Sequence, residues 1–387
     1  MRFWLVIFTS FISTFPSFSN NDIIKIGILH TREPIAVLFA PLFGGYEVIG
    51  DGKVLYTIKE KEAIQVTNVG GQLHLKSFNR DLGIVNKVYF KRIKWGAIFK
   101  VKPTRPSRYE HQYFDNLTIT PKGLKLKLIN TVYIEHYVSG VIESEAGSNQ
   151  NLEYYKVQAI ICRTYALANK ARHRKEGFNV CDKVHCQVYH NRSRHNSDIQ
   201  KASRATKGIV VVDSDIDIIT AAFFSNCGGQ TVNSEDAWRY PLPYLRSICD
   251  TFCTDMPHAA WEKEMPKNVW LNYLSKTYNF PVDDSLYANC AIEHFPEMRE
   301  KYFSYIDSTI TTPKIRMDMK FRSAHFNLID EGDTIKFIGN GFGHGIGLCQ
   351  EGAMKMSTSG YDFKEILHYY YTDVHLIDLE NIDFFRD

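Results

Sequence analysis

Short runs in which apolar and polar residues alternate fill the chain from residue 22 to about 130. "IIKIGILH", "IAVLFA", "KVLYTIK", "QLHLKSF", "KVYFKRI" and "LKLKLINTVYI" are rich in Val, Ile, Tyr and Phe, and turn residues such as "GDGK" and "NVGGQ" separate them. This is the pattern of strands with one buried face. The period changes at Ile134, where Ile134, Tyr137, Val138, Val141 and Ile142 fall at helical spacing, and Gly147 follows as a natural stop. Asn149 or Asn151 can cap a second helix, "LEYYKVQAIICRTYALANKARHR". It is apolar over much of its circumference, which predicts a central, buried position. Strand-like runs return at "GIVVVDSD", "IITAAFFS", "KIRMDMKF" and "DTIKFIG", while residues 255–305 mix helical pieces with polar residues. "QEGAMKMSTSG" and "DFKEILHYYYTDV" read as helices. The expected fold class is α+β: a central buried helix in β-rich surroundings, preceded by a β-rich N-terminal region.

The N-terminus changes the picture. Arg2 precedes an apolar stretch, "FWLVIFTSFI", and Ser17 and Ser19 offer the small residues of a cleavage site. That pattern predicts a signal peptide over residues 1–19 and a secreted or periplasmic protein; an uncleaved membrane anchor is the alternative. No Cys follows the stretch, which argues against a lipid anchor, and no other segment is long and apolar enough to span a bilayer. The formal net charge of +3 over 387 residues gives no reason to expect nucleic acid as a partner. Aromatic residues make up 13% of the chain, which suits an extended polymer surface, although most are expected in the core. Export permits disulfides among the eight cysteines. Cys249 and Cys253 are close enough to pair, Cys227 and Cys290 are further candidates, and Cys162 lies in an apolar helix pattern as a buried thiol.

Three features carry chemistry. In the first helix, Glu143 aligns with Glu135 and Ser139 on a polar stripe, whereas Glu145 aligns with the apolar stripe. A carboxyl group turned toward the core near a helix C-terminus has its charged form disfavoured by desolvation and by the helix dipole. It can then serve as a general acid; the competing reading pairs Glu145 with a buried Arg such as Arg163. Second, "HRKEGFNVCDKVHCQVYH" gathers His173, Cys181, His185 and Cys186, donors that suit zinc. His173, Cys181 and Cys186 are the preferred ligands, because His185 adjoins Cys186 and neighbours seldom reach one ion without a sharp bend. A disulfide, or two unrelated thiols, is the other reading.

Third, "GNGFGHGIGLCQEGA" places five glycines on alternate positions from Gly339 to Gly347 around His344. Neither dinucleotide nor P-loop spacing can be placed on it. Alternate glycines instead let backbone approach a ligand or another strand closely. His344 could hydrogen-bond substrate, orient Glu145 or bind metal; a lone loop histidine is more often structural.

Three segments in order, "YIEHYVSGVIESEAG…VQAIICRTYALA", "CDKVHCQVY…AAFFSNCGGQTVNSEDAW…PYLRSICD" and "GNGFGHGIGLCQEGA", resemble the SpoIID/LytB family over roughly residues 105–378. That family includes a lytic transglycosylase of peptidoglycan and amidase enhancers. The resemblance implies a mixed α/β fold with an elongated groove and puts the catalytic glutamate on Glu145. It puts the zinc-binding segment on His173, Cys181 and Cys186, with the zinc expected to be structural. It places Gln187, Ser225, Gly228, Gly229, His344 and Gln350 near the substrate. The family usually has Pro soon after the catalytic Glu, where this chain has Ala146 and Gly147, and Ser where it has Cys349. The implied function is cleavage between N-acetylmuramic acid and N-acetylglucosamine with formation of 1,6-anhydro ends. The alternative is a non-catalytic glycan-binding enhancer of a cell-wall amidase. Glycan strands, and for the alternative an amidase, are the implied partners. The implied organisation is a signal peptide (1–19), a β-rich region (20–104), a catalytic domain (105–378) with a mixed insertion (255–305), and a tail (379–387).

Overall fold

A computed structural model of the chain describes residues 23–382 and 384, apart from 32, 148, 195 and 304–308. The expected signal peptide lies outside the described residues. Twelve strands come first: β1 (Ile23–Ile28), β2 (Ala36–Phe43), β3 (Tyr46–Gly50), β4 (Lys53–Ile58), β5 (Ile64–Val69), β6 (Gln72–Ser77), β7 (Asp81–Val85), β8 (Val88–Arg92), β9 (Ile98–Arg105), β10 (His111–Phe114), β11 (Asn116–Lys122) and β12 (Lys125–Tyr133). They build two sheets, and the larger also takes up the two-residue strand β13 (Val180–Cys181), in the order β13-β1-β12-β11-β8-β3-β4; the other runs β10-β9-β2-β5-β6-β7. Period-2 burial explains the packing: in β5, Ile64 and Val66 are buried while Gln65 and Thr67 are not. The sheets meet through Phe39, whose ring stacks on Phe90 at 3.8 Å and on Phe99 at 5.3 Å. β1 is locked between β12 and β13, so the N-terminal strands and the helical region share one hydrophobic core. The division expected at residues 104/105 falls at the end of β9, which pairs antiparallel with β10.

The helices follow: α1 (Ile134–Ala146), α2 (Leu152–Ala168) and α3 (Ser197–Ala205). α1 begins and ends where the periodicity places it, with Gly147 at its C-cap. Asn151 caps α2, its side chain accepting from Glu153 N. α2 is buried on nearly every side, packed against α1, α3 and β14 (Ile209–Val212). It stops at Ala168, short of the expected run, and the chain turns before reaching His173. On the polar stripe of α1, Glu135 and Ser139 are buried and Glu143 is half-buried. Glu135 accepts from Arg163 Nε at 2.8 Å and Nη2 at 2.6 Å, and from Ser203 Oγ at 2.8 Å. Glu143 accepts from Ser193 Oγ and Arg194 N.

β15 (Phe223–Phe224) and α4 (Ser234–Ala237) lead to a second, smaller core. It is built from β16 (Ala260–Pro266), α5 (Lys267–Tyr278), α6 (Ser285–Ile292), α7 (Thr312–Met319), β17 (Phe326–Asp330) and β18 (Thr334–Asn340). Trp261, Trp270, Leu274, Phe303, Ile315, Leu328 and Phe337 fill it. β18 lies between β16 and β17, and Ala260 pairs with Asn340, so this unit leaves and rejoins the larger one at neighbouring points. "KIRMDMKF", expected as a strand, is mostly α7: Pro313 sits in the first helical turn and Ile315 is buried in the smaller core. The chain then forms β19 (Leu348–Cys349), α8 (Gln350–Thr358), α9 (Phe363–Tyr370) and β20 (His375–Asp378), which pairs with β14. Of "IITAAFFS" only Phe223–Phe224 is a strand. Among the described residues, no helix is long and apolar enough to cross a membrane.

Candidate functional site

Glu145 lies in the last turn of α1, half-buried, and its Oε1 accepts a hydrogen bond from Val188 N at 2.7 Å. Desolvation pushes its pKa up, and the Val188 bond opposes this without cancelling it. Arg163, the cation that could have neutralised it, is engaged by Glu135 instead.

Glu145 and His344 open onto the same cleft, of about 700 Å³. Ser225 and Gln350 line it too, as do His185 and Cys186. Sequence reasoning missed further wall residues: Tyr165, Arg172, Phe223, Phe224, Trp238, Arg316 and Phe342. The aromatic ones stood in or beside segments already quoted, but Arg316 sat in the segment misread as a strand. Glu145 is the one carboxylate among the described residues lining the cleft. Aromatic faces, two guanidinium groups and a single half-buried acid make a surface suited to a long, polar, partly anionic polymer.

The glycine run serves the second of its two expected purposes, close approach to another stretch of backbone. Gly341 has φ 82°, and a Cβ there would lie 2.6 Å from the Asn226 carbonyl oxygen. Gly347, with φ 74°, meets the Ala222 carbonyl in the same way. The alternate glycines therefore let residues 341–347 lie against residues 222–228, a contact closed by the paired hydrogen bonds of Asn226 and Phe342. Only Gly343 of the run lines the cleft. His344 sits between Phe224 and Trp238, with ring centroids 5.3 and 5.7 Å away, and its Nδ1 accepts from Ile346 N at 3.1 Å. Burial, helped by the positive charge of Arg316, lowers its pKa to about 4, and a hydrogen bond to the Phe223 backbone opposes the shift. His344 is thus neutral near pH 7.

Three of the other expected residues lie off the cleft wall. Gln187 is buried behind it and accepts from Tyr137 Oη at 3.0 Å, so it supports α1. Gly228 and Gly229 form a tight turn against Asn340 and Gly341.

His173, Cys181, His185 and Cys186 converge, their ligand atoms all within 4.8 Å of one another. His185 converges with the three preferred residues. A tight turn, closed by Cys186 N to Lys183 O at 2.8 Å, supplies the bend that lets both neighbours face inward. His185 Nδ1 lies 3.6 Å from Cys186 Sγ and 3.9 Å from Cys181 Sγ. His173 turns Nε2 to Cys186 Sγ at 3.4 Å while Nδ1 meets Glu176 Oε1 at 2.6 Å. A carboxylate behind a histidine is the arrangement that orients metal-binding imidazoles. The donor set fits zinc.

No disulfide joins any two of the eight cysteines. Cys249 is exposed and does not pair with Cys253, which is buried and faces Cys227. Cys162 is buried in α2, as expected.

Comparison with known proteins agrees with this arrangement. Residues 122–212, which span β12 to β14 and so include α1, Glu145 and the His/Cys cluster, match the family described as SpoIID, stage II sporulation protein. Over that part of its length the chain resembles the SpoIID family, and the relatives below support the resemblance. It is 28% identical to stage II sporulation protein D of Bacillus amyloliquefaciens over 276 residues, covering 65% of this chain and 76% of that protein. It is 27% identical over 287 residues to the amidase enhancer of Bacillus subtilis (strain 168), covering 60% of this chain and 39% of that protein. An uncharacterised protein of Brachyspira hyodysenteriae (strain ATCC 49526 / WA1) is 25% identical over 372 residues, 95% of this chain and 96% of that one.

Proposed function

We propose that the protein is an exported lytic transglycosylase that cleaves peptidoglycan between N-acetylmuramic acid and N-acetylglucosamine. The observation that carries the reading is the single half-buried carboxyl group, Glu145, on an aromatic-lined cleft. A retaining glycosidase needs a second carboxylate about 5–5.5 Å away as nucleophile. A transglycosylase does not, because the sugar's own C6 hydroxyl attacks. Glu145, protonated, gives its proton to the glycosidic oxygen as the C1–O bond breaks. The C6 oxygen bonds to C1, and its proton passes to the Glu145 carboxylate, which restores the acid. No water is consumed, and the product ends in a 1,6-anhydro ring.

The Val188 N–H fixes the carboxyl group in place. Phe223, Trp238 and Phe342 offer faces for sugar rings, and Arg172 and Arg316 offer charge to the carboxylates of muramic acid or its stem peptides. Neutral His344 positions the wall rather than moving a proton. Zinc held by His173, Cys181, His185 and Cys186 would have four protein ligands and be structural, joining the turn after α2 to the 181–186 loop.

Digestion of purified peptidoglycan tests this. The wild type is expected to release anhydro-ended fragments, and Glu145→Gln is expected to lose about 10² to 10⁴-fold in rate. Full activity in Glu145→Gln would sink the assignment. The similarity to an amidase enhancer supports a second reading, a glycan-binding activator of an amidase. It predicts no anhydro product, and stimulation of a partner amidase that survives Glu145→Gln.

A further inference from the structure

A second group of soft donors lies under the floor of the cleft. Cys227, Asp250, Cys253 and Cys349 are each fully buried, and their ligand atoms all lie within 4.8 Å of one another. Cys227 Sγ is 3.1 Å from Cys253 Sγ and 3.2 Å from Asp250 Oδ2. Tetrahedral zinc with Zn–S bonds of about 2.3 Å sets neighbouring sulfurs roughly 3.8 Å apart, within the span seen here.

The backbone around the group is shaped as metal-binding turns are. Cys227 enters a turn in which Gly228 and Gly229 have φ of 65° and 100°. Asp250 and Cys253 stand three apart in a facing turn, and Asp250 N donates to Gly229 O at 2.9 Å, tying the two turns together. Cys349 is the N-cap of α8, and its sulfur accepts from Gly352 N and Cys227 N, both at 3.3 Å.

Two simpler readings leave something over. A Cys227–Cys253 disulfide would use two sulfurs and leave Cys349 and the Asp250 carboxyl group buried beside it. A plain thiol core leaves the buried Asp250 carboxyl group held by Tyr370 Oη and Phe252 N, both at 2.9 Å, with three thiols gathered round it that this reading gives no common purpose. A divalent ion uses all four donors.

We propose that Cys227, Asp250, Cys253 and Cys349 form a second structural zinc site, separate from the one at His173 and independent of the glycan-cleaving reading. It rivets the 226–229 turn, the 250–253 turn and the start of α8. Ser225 and Gln350, each within two residues of a ligand, are held on the cleft by it.

Metal analysis of the full chain, purified under reductant, tests the site. The wild type is expected to carry two zinc ions, Cys253→Ser one, and Cys181→Ser/Cys186→Ser one. Cobalt loading covers the case in which Cys253→Ser does not fold. In Cys181→Ser/Cys186→Ser the first cluster has lost its thiolates, so thiolate-to-cobalt charge transfer can arise only at the proposed site. Its appearance supports the proposal and its absence overturns it. A wild type with one zinc that Cys253→Ser retains overturns it too. So does an intact mass of the unreduced protein that shows a Cys227–Cys253 disulfide.

Discussion

Glu145 holds its proton more tightly than a free carboxyl group because of where α1 ends. The helix turns the side chain inward, desolvation disfavours the anion, and Arg163 is committed elsewhere. A group whose folded pKa is raised adds stability that is complete below its unfolded pKa and is lost as pH rises through the folded value. Activity that needs the acid form falls over the same window. Glu145→Gln should therefore melt at the wild-type temperature below the ordinary carboxylate range, and at an equal or higher temperature well above it. Thermal scans at acid and mildly alkaline pH check this; a lower melting temperature at alkaline pH would contradict the buried-acid account. His344, with a pKa of about 4, contributes no ionisation step between pH 5 and 8. His344→Gln should lower kcat/KM by up to about tenfold, through roughly 0.5–1.5 kcal/mol of lost positioning. The shape of the pH–rate profile above pH 5 should not change.

Among the elements, α1, α2, α3 and β14 are joined by one buried pair. Arg163 binds Glu135 with two nitrogens and donates through Nη1 to Ile209 O at 2.9 Å, while Ser203 of α3 reaches the same carboxylate. Arg163→Met leaves Glu135 charged and unpaired, at a cost of about 3–5 kcal/mol. Denaturant titration should show the loss, and Glu135→Leu combined with Arg163→Met should recover part of it. This pair also marks what sequence could reveal. The stripe of Ile134, Tyr137, Val138, Val141 and Ile142 located α1 and turned Glu145 inward. It could not say which carboxylate Arg163 would take, because that depends on how two helices and a strand cross. His185 escaped for a similar reason: only the turn at Lys183–Cys186 shows that neighbours can converge. α7 was misread because "KIRMDMKF" alternates like a strand, and only the surroundings of Ile315 decide for a helix. Removing metal from the His173 cluster should lower the melting temperature, since the ion would join the turn after α2 to β13 and the loop that follows it. Chelation followed by calorimetry measures it.

At the scale of the molecule there are two cores, and the smaller unit reaches the cleft through Arg316 of α7. The larger runs from Ile24 to Ile382 and the smaller lies within 261–337. Trp270 is fully buried in the smaller one, its Nε1 donating to Ala291 O at 2.6 Å. Trp270→Ala should cost about 3–5 kcal/mol. Hydrogen exchange should quicken across β16–β18 while β1, β12 and α2 stay protected. Uniform quickening would mean that the two cores unfold as one. The β-rich start and the central helix were legible from periodicity. The smaller core was not, because its residues come from several short elements in the polar stretch after residue 255 and from the strands beyond it.

Ala260 and Asn340 face each other across the β16–β18 ladder. The whole intervening stretch therefore enters and leaves through a gap that a hairpin turn could close. It is a cassette: cut out and sealed with two residues, it would leave the larger core's connectivity intact. Arg316 would go with it, so one cation of the cleft wall is carried by that part. Substrate preference could then be exchanged between relatives by swapping that part, without touching the helix that holds Glu145.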